Sequence, residues 1–355
     1  MGIYGCQFNT DEQHGVNISW QQNKYSELFK IGYNETDTLL KVFFIGGKEL
    51  ATYHMGKNPN QFPSTIKIKK NNRIAVSSSI FARFLTELNL GNSIVAIDNL
   101  NFVHSSLKSY LNNPTAIQPS GELQLEELIK SDPDIFFTYT LNAEGIPAFS
   151  RLSKRNIPVV YIQNHQEQHP LARSEWIKVF GLITDKLNTA DEIFNQVDSV
   201  YLSLAQNKTP HKKTLMINAP YSGNWMVPNT NNYLSKLLLD ASLNCIWQDK
   251  NLDEKQFTYT IPMESAMKHL LQADIWLNVG SYSDLDELLK NEPRIESVLN
   301  SNDKLQIFQN NKQQEESGAN SYWDLGSIHP EILLNDLISI AKGKPNSLYF
   351  YQQFR

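Results

Sequence analysis

The sequence predicts an α/β protein made of two lobes with mainly parallel sheets, joined by one long α-helix. Three observations carry that prediction. Short apolar runs of strand character alternate with amphipathic helical stretches from Arg73 to Ile162, and again from Thr214 to Ala341. Strands separated by helices of this length imply parallel pairing. Between the two alternations, from His169-Pro170 to about Gln206, the periodicity is helical throughout. The chain has 355 residues, 41% of them hydrophobic, which is enough for two domains or one large one.

The elements follow in order. Residues 1–15 form an N-terminal tether. A first lobe spans 16–169, opening with a β-rich segment in which Leu39-Leu40-Lys41-Val42-Phe43-Phe44-Ile45 is ended by Gly46-Gly47. The alternation then begins with Ile74-Ala75-Val76, the serines Ser77-Ser78-Ser79, and a helix through Ile80, Phe81, Phe84, Leu85 and Leu88. Further strands are expected at Ile94 to Ile97, Asp134 to Thr138 and Val159 to Ile162, with helices around Leu123 to Lys130 and Pro147 to Arg155.

Residues 170–206 are the linker helix. Trp176, Ile177, Phe180, Leu187, Ile193, Phe194, Val197 and Val200 sustain its period, Gly181 is its one glycine, and no proline interrupts it. Its expected length is on the order of 30 residues, or about 45 Å. The second lobe, 207–355, restarts with strands at Thr214 to Asn218, Phe257 to Tyr259 and Ile275 to Val279. Its helices are expected at Tyr233 to Asp240, Met263 to Leu271, Leu285 to Lys290 and Pro330 to Ala341.

Composition removes several function classes. A net charge of -5 with 32 basic and 37 acidic residues argues against nucleic acid, which needs a clustered basic surface. No apolar run approaches the roughly 18 residues of a membrane span. The best, Ile332 to Ala341, is broken by Asn335 and Asp336. Cys6 and Cys245 are too few for a disulfide framework. The opening Ile3-Tyr4-Gly5-Cys6 looks like the tail of a bacterial lipobox, with Tyr4 unusual there, and makes Cys6 the candidate for lipidation; a merely exposed N-terminal thiol is the alternative. Membrane contact is expected only through that anchor.

Enzymatic motifs are not found. The strand ending at Val76 runs into Ser77-Ser78-Ser79-Ile80-Phe81-Ala82, which lacks the glycines that let a pyrophosphate approach. Neither a Walker lysine motif nor a Gly-x-Ser-x-Gly elbow occurs. His165-Gln166-Glu167-Gln168-His169 spaces two imidazoles for metal binding only if it is helical, and Pro170 with the preceding strand favours a loop. The expectation is therefore no catalytic residue, no metal and no cofactor, with a chelatase-like enzyme as the residual alternative and an adhesin as a third class.

Several segments resemble the periplasmic binding proteins of the iron-chelate, haem and cobalamin ABC importers, in particular Bacteroidetes-type members, and the resemblance covers most of the chain. Arg73-Ile74-Ala75-Val76-Ser77 is similar to the opening strand. Gly121-Glu122-Leu123-Gln124-Leu125-Glu126-Glu127-Leu128, followed by Asp132-Pro133-Asp134-Ile135, is similar to the family's asparagine-leucine-glutamate and lysine-proline-aspartate segment, with Gln124 and Asp132 as departures. Pro170 to Lys178 resembles the start of the linker helix. Gly223-Asn224-Trp225-Met226-Val227-Pro228 and Pro262-Met263-Glu264 with Ala273-Asp274 match in the second lobe.

The resemblance implies an extracytoplasmic binding protein, periplasmic or elsewhere in the cell envelope. It would capture a ferric siderophore and deliver it to an ABC permease dimer, with haem or cobalamin as alternative ligands. The preference for a siderophore comes from family frequency. A ligand of an open α/β fold sits at the carboxyl ends of the strands, which directs attention to Ser78, Ser79, Tyr139, Tyr221, Trp225, Tyr282 and Trp323. Their aromatic rings suit a large chelate, although aromatic side chains near strand ends also serve simply as packing. Arg83, Arg151 and Arg173 are the candidates to balance a negative chelate. Glu126 and Glu264 begin helices in different lobes, and in the family such glutamates dock into arginine pockets of the permease. The plainer account is that each complements a helix dipole.

Overall fold

The computed structural model describes residues 17–56, 66–67, 73–118, 121–142, 149–206, 213–221, 223–247, 256–280, 282 and 284–354. The tether 1–15 and Cys6 lie outside them.

The leading segment folds as a sheet. Strands β1 (Ser19–Gln21), β2 (Phe29–Tyr33), β3 (Asp37–Phe43) and β4 (Glu49–Gly56) form an antiparallel meander, and β5 (Ile66–Lys67) adds to β4 in parallel. Gly46 and Gly47, at φ +89° and +84°, make the turn between β3 and β4 that side chains with a Cβ would strain. Phe29, Ile31, Leu40, Val42 and Tyr53 are buried in the same hydrophobic core as the parallel sheet that follows. The leading sheet is therefore part of the first lobe's packing.

That parallel sheet has the order β10-β9-β6-β7-β8. Its strands are β6 (Ile74–Val76), β7 (Ile94–Ile97), β8 (Thr115–Ala116), β9 (Ile135–Thr138) and β10 (Val159–Tyr161), linked by α1 (Ser79–Glu87), α2 (Ser105–Lys108), α3 (Leu125–Lys130) and α4 (Ser150–Ser153). Ile135-Phe136-Phe137 and Val159-Val160-Tyr161 are buried throughout, as expected of strands covered on both faces.

The linker differs from its sequence-based expectation. In place of one helix over 170–206 there are α5 (Pro170–Glu175), α6 (Ile177–Ile183) and α7 (Leu187–Gln206). The chain turns at Asp185, at φ 61°. A Cβ at Gly181 would lie 2.6 Å from Ala190 Cβ, so only glycine lets α6 fold back against α7. The long helix is α7, with 20 residues. Its Ala190 and Phe194 belong to the first core, whereas Val197 and Tyr201 belong to the second.

The second lobe is built on β11 (Lys213–Ile217), β13 (Leu243–Cys245), β15 (Ile275–Leu277), β16 (Gln306–Gln309) and β17 (Gln352–Gln353), in the order β13-β11-β15-β16-β17, the last antiparallel. A separate pair joins β12 (Trp225–Pro228) to β14 (Thr258–Ile261). The helices are α8 (Tyr233–Asp240), α9 (Met263–Gln272), α10 (Leu285–Asn291), α11 (Glu296–Leu299), α12 (Ser321–Ile328) and α13 (Pro330–Ala341). No described helix is long and apolar enough to cross a membrane.

The two parallel sheets repeat one wiring: β10-β9-β6-β7 has the same relative order as β16-β15-β11-β13. The repeat extends to hydrogen bonds. Asp134, just before β9, accepts the Arg73 N–H at 3.0 Å and donates its own N–H to the Arg73 carbonyl at 2.8 Å. Asp274, just before β15, does the same with Thr214 at 2.8 and 3.0 Å.

Candidate ligand-binding site

The carboxyl edges of the two sheets are brought together by the loops that follow β7 and β16. The Ser105 N–H donates to Glu315 Oε1 at 2.8 Å, and His104 Nε2 stands 3.4 Å from the same oxygen. Nearby, the Phe102 ring lies 3.5 Å from where a Cβ at Gly318 would be. These contacts join the first lobe to the second near the carboxyl ends of the strands, where an open α/β fold places its ligand.

The predicted residues have unequal fates. Tyr139, 44% exposed, follows β9 and stands edge-on to His165 with centroids 5.3 Å apart. Tyr221 is 82% exposed at the end of β11, its loop closed by the Tyr221 N–H donating to the Asn224 carbonyl at 2.8 Å. Tyr282 lies against Gly280, which follows β15. Its hydroxyl pKa is raised, first by burial and then by Glu292 and Glu287. Trp323 is 57% exposed on α12, at 4.9 Å and edge-on to Tyr322. Ser78 accepts the Ile80 N–H at 3.2 Å as the N-cap of α1, and Ser79 is that helix's first residue.

Trp225 requires correction. It is completely buried, donates its indole N–H to the Ile217 carbonyl at 2.8 Å, and packs 5.8 Å from Trp276. The reason is strand pairing: Trp225 faces Ile261 in β14, and this side of the β12–β14 ribbon is apolar and turned into the second core. Trp225 therefore offers no face to a ligand.

Polar residues at the strand ends, which aromatic content could not point to, keep buried atoms without partners. Gln163 donates its amide to the Thr140 carbonyl at 3.0 Å, leaving Oε1 buried without a partner. Gln309 in β16 donates to the Gly280 carbonyl, and its Oε1 is likewise unpartnered. Asn278 Oδ1, Asp98 Oδ1 and His165 Nε2 are also buried and unsatisfied, a state that costs free energy unless a partner arrives. Burial pushes the Asp98 carboxyl up to about 6, against opposing backbone hydrogen bonds. Burial, assisted by Arg173, pushes the His165 imidazole down to about 4, so it is neutral at pH 7.

The three arginines separate. Arg83 is buried and donates to Asp324 at 3.0 Å. Arg151 lies on the surface 3.9 Å from Glu126, both largely exposed, in a pair that contributes little. Arg173 belongs to α5: its guanidinium stacks 4.0 Å over Tyr233, donates to Ser327 at 3.2 Å, and keeps a buried Nε–H without a partner.

His165 and His169 do not act together. His169 Nδ1 accepts the Leu171 N–H at 3.1 Å to cap α5 and stacks on Tyr25 at 4.8 Å. Among the described residues no group of three His, Cys, Asp or Glu side chains could hold a metal ion. A separate cavity of about 710 Å³ lies between the leading sheet, residues 166–169 and the start of α8, with Lys24, Tyr25, Gln166 and Lys236 in its lining; none of the crevice aromatics reaches it.

Glu126 and Glu264 are the second residues of α3 and α9, which precede the equivalent strands β9 and β15. Both are exposed.

Residues 74–301 match the profile of a family described as periplasmic binding protein. An uncharacterized lipoprotein of Methanocaldococcus jannaschii is 24% identical over 218 residues, 61% of this chain and 49% of the relative, so the chain spans about half of that protein's length. Among solved structures, a periplasmic binding protein from Veillonella parvula superposes with a TM-score of 0.62 at 11% identity, covering 87% of this chain and 99% of that one. A periplasmic heme-binding protein of Vibrio cholerae gives 0.55 at 17% identity over 74% and 98% of the two chains. A siderophore-binding protein of the same organism, solved with Fe3+-Desferal, gives 0.53 at 14% identity over 76% and 98%. At these identities the structural likeness concerns the fold.

Proposed function

From its membership of the periplasmic binding protein family, to which 74–301 assigns this chain, we propose that it captures a ferric siderophore or related chelate outside the cytoplasm and delivers it to an ABC importer. The observation that supports this reading is the set of side chains gathered at strand ends of both lobes. Tyr139 and His165 come from strand ends of the first lobe, Tyr221 and Tyr282 from strand ends of the second, and Trp323 from α12, with unpartnered polar atoms of Gln163, Asn278 and Gln309 also at strand ends. Flat, half-polar walls over a polar floor suit a large ring-containing ligand.

Delivery rests on Glu126 and Glu264, exposed at equivalent places in the two halves of the repeat, where one could engage each permease subunit. An anchor at Cys6 is in keeping with the lipoprotein relative. The test is the absorbance spectrum and intact native mass of protein purified from its own host. An iron-chelate spectrum with a matching mass increment supports the siderophore reading. A haem or corrinoid spectrum replaces the ligand within the same family, and chemical conversion of the ligand would turn the reading to a chelatase.

A further inference from the structure

We propose that Gln163 and Gln309 are positioning residues for the ligand: each ties down, at an equivalent place in its own lobe, the loop that presents a tyrosine, Tyr139 in the first lobe and Tyr282 in the second. This rests on the ligand-binding function proposed above. The first ground is the repeat. β9 and β10 stand in the first sheet where β15 and β16 stand in the second. Gln163, just past β10, donates its side-chain amide to the carbonyl of Thr140, just past β9, at 3.0 Å. Gln309, the last residue of β16, donates in the same way to the carbonyl of Gly280, just past β15. Each tie lies within one lobe.

The second ground is what the ties hold. Both carbonyls lie beyond the ends of their strands, where the sheet ladder no longer fixes the chain. Thr140 directly follows Tyr139, whose ring meets Phe81 and His165 edge-on with centroids 6.4 and 5.3 Å apart. Gly280, at φ +89°, is the seat of Tyr282, whose ring comes within 3.2 Å of where a Cβ at Gly280 would be. To shift either carbonyl is to shift the tyrosine beside it.

The third ground is cost. Gln163 and Gln309 are buried, and Oε1 of each has no hydrogen-bond partner. A buried oxygen left unmet costs free energy that an apolar side chain of similar size, such as methionine, would not incur. The donor end of each amide therefore accounts for the glutamine, and its burial keeps water from competing for the loop carbonyl.

The experiment uses the purified full chain with Gln163→Met, Gln309→Met and Gln163→Glu. In ligand-free protein, hydrogen exchange should quicken selectively in 139–142 for the first variant and around Gly280 for the second. Binding is measured with three probes: ferric desferrioxamine B, haemin and cyanocobalamin. The probe that binds the wild type should bind each Met variant about three- to tenfold more weakly, the range of one lost hydrogen bond. Gln163→Glu gives a readout that packing alone would not move. Its carboxyl can donate to the Thr140 carbonyl only when protonated, so its affinity relative to the wild type should recover as the pH is lowered from about 8 to about 5. Unchanged exchange in the two loops, unchanged affinity of the Met variants, or a Glu variant whose relative affinity ignores pH overturns the inference and leaves the ligand-binding function standing. Failure of the natively folded wild type to bind any of the three probes overturns that function, and the inference with it.

Discussion

Arg83 donates through Nε to Asp324 at 3.0 Å, and this buried ion pair ties α1 of the first lobe to α12, which follows the last parallel strand of the second. The same seam contains His329, 3.6 Å from Glu87. It also contains the Ser174 hydroxyl, which donates to the Ile328 carbonyl at 2.6 Å. The lobes are thus held together by α12 as well as by α7.

Breaking the pair from one side should be costly. Asp324→Ala leaves Arg83 buried without its carboxylate and is expected to destabilise the protein by about 3 to 5 kcal/mol. The double variant Arg83→Met, Asp324→Leu should lose much less. Denaturant unfolding of the three proteins checks this; equal losses in the single and double variants would mean that packing, and not the unpaired charge, dominates.

A seam added to a helical linker restricts hinge motion. Ligand binding is expected to change the angle between the lobes only slightly, because wide closure would break α7 or strip α12 from α1. Small-angle scattering of ligand-free and ligand-loaded protein should nearly superpose, and a large drop in radius of gyration would contradict this.

His329 makes the seam sensitive to alkali. Burial disfavours its charge, but hydrogen bonds to Glu331 and Glu87 outweigh burial and lift its pKa from 6.5 to about 9. Because the folded value is the higher one, the contribution is complete below pH 6.5 and is lost as pH rises through about 9. Its size is at most roughly 3 kcal/mol. His329→Gln should flatten the fall in stability over that window, and an unchanged pH profile would remove His329 as its source.

Trp225 and Trp323 should respond in opposite ways. Trp225→Ala empties a core position and should cost about 3 to 5 kcal/mol of stability. Trp323→Ala should leave the melting temperature nearly unchanged and weaken ligand binding by about 1 to 3 kcal/mol, tenfold to a hundredfold. Calorimetry of folding and binding on both variants separates the two roles.

Charge reversal at Glu126 or Glu264 tests delivery apart from capture. Either Glu→Lys change should leave ligand affinity as it was, since neither residue belongs to the crevice, while uptake by cells that depend on this protein collapses. Normal uptake with both charges reversed would leave the glutamates as ordinary helix-start carboxylates.

By itself the sequence determined what is local and periodic. Apolar runs such as Ile135-Phe136-Phe137 and Ile275-Trp276-Leu277 specify buried strands, the intervening amphipathic stretches specify helices, and their alternation specifies parallel sheets on either side of a helical linker. The β-rich opening is equally legible. Tertiary structure decided what depends on partners far along the chain. Trp225 and Trp323 are the same residue type and both are candidates to wall a ligand, yet pairing with β14 buries one while α12 exposes the other. Arg83, Arg151 and Arg173 differ only in what lies opposite: Asp324, solvent beside Glu126, and Tyr233. The linker breaks at Asp185 because α6 packs onto α7 through Gly181, a contact that no helical period announces. Periodicity records which face of an element avoids water, whereas the group that meets that face is set by sheet order and helix packing across the whole chain.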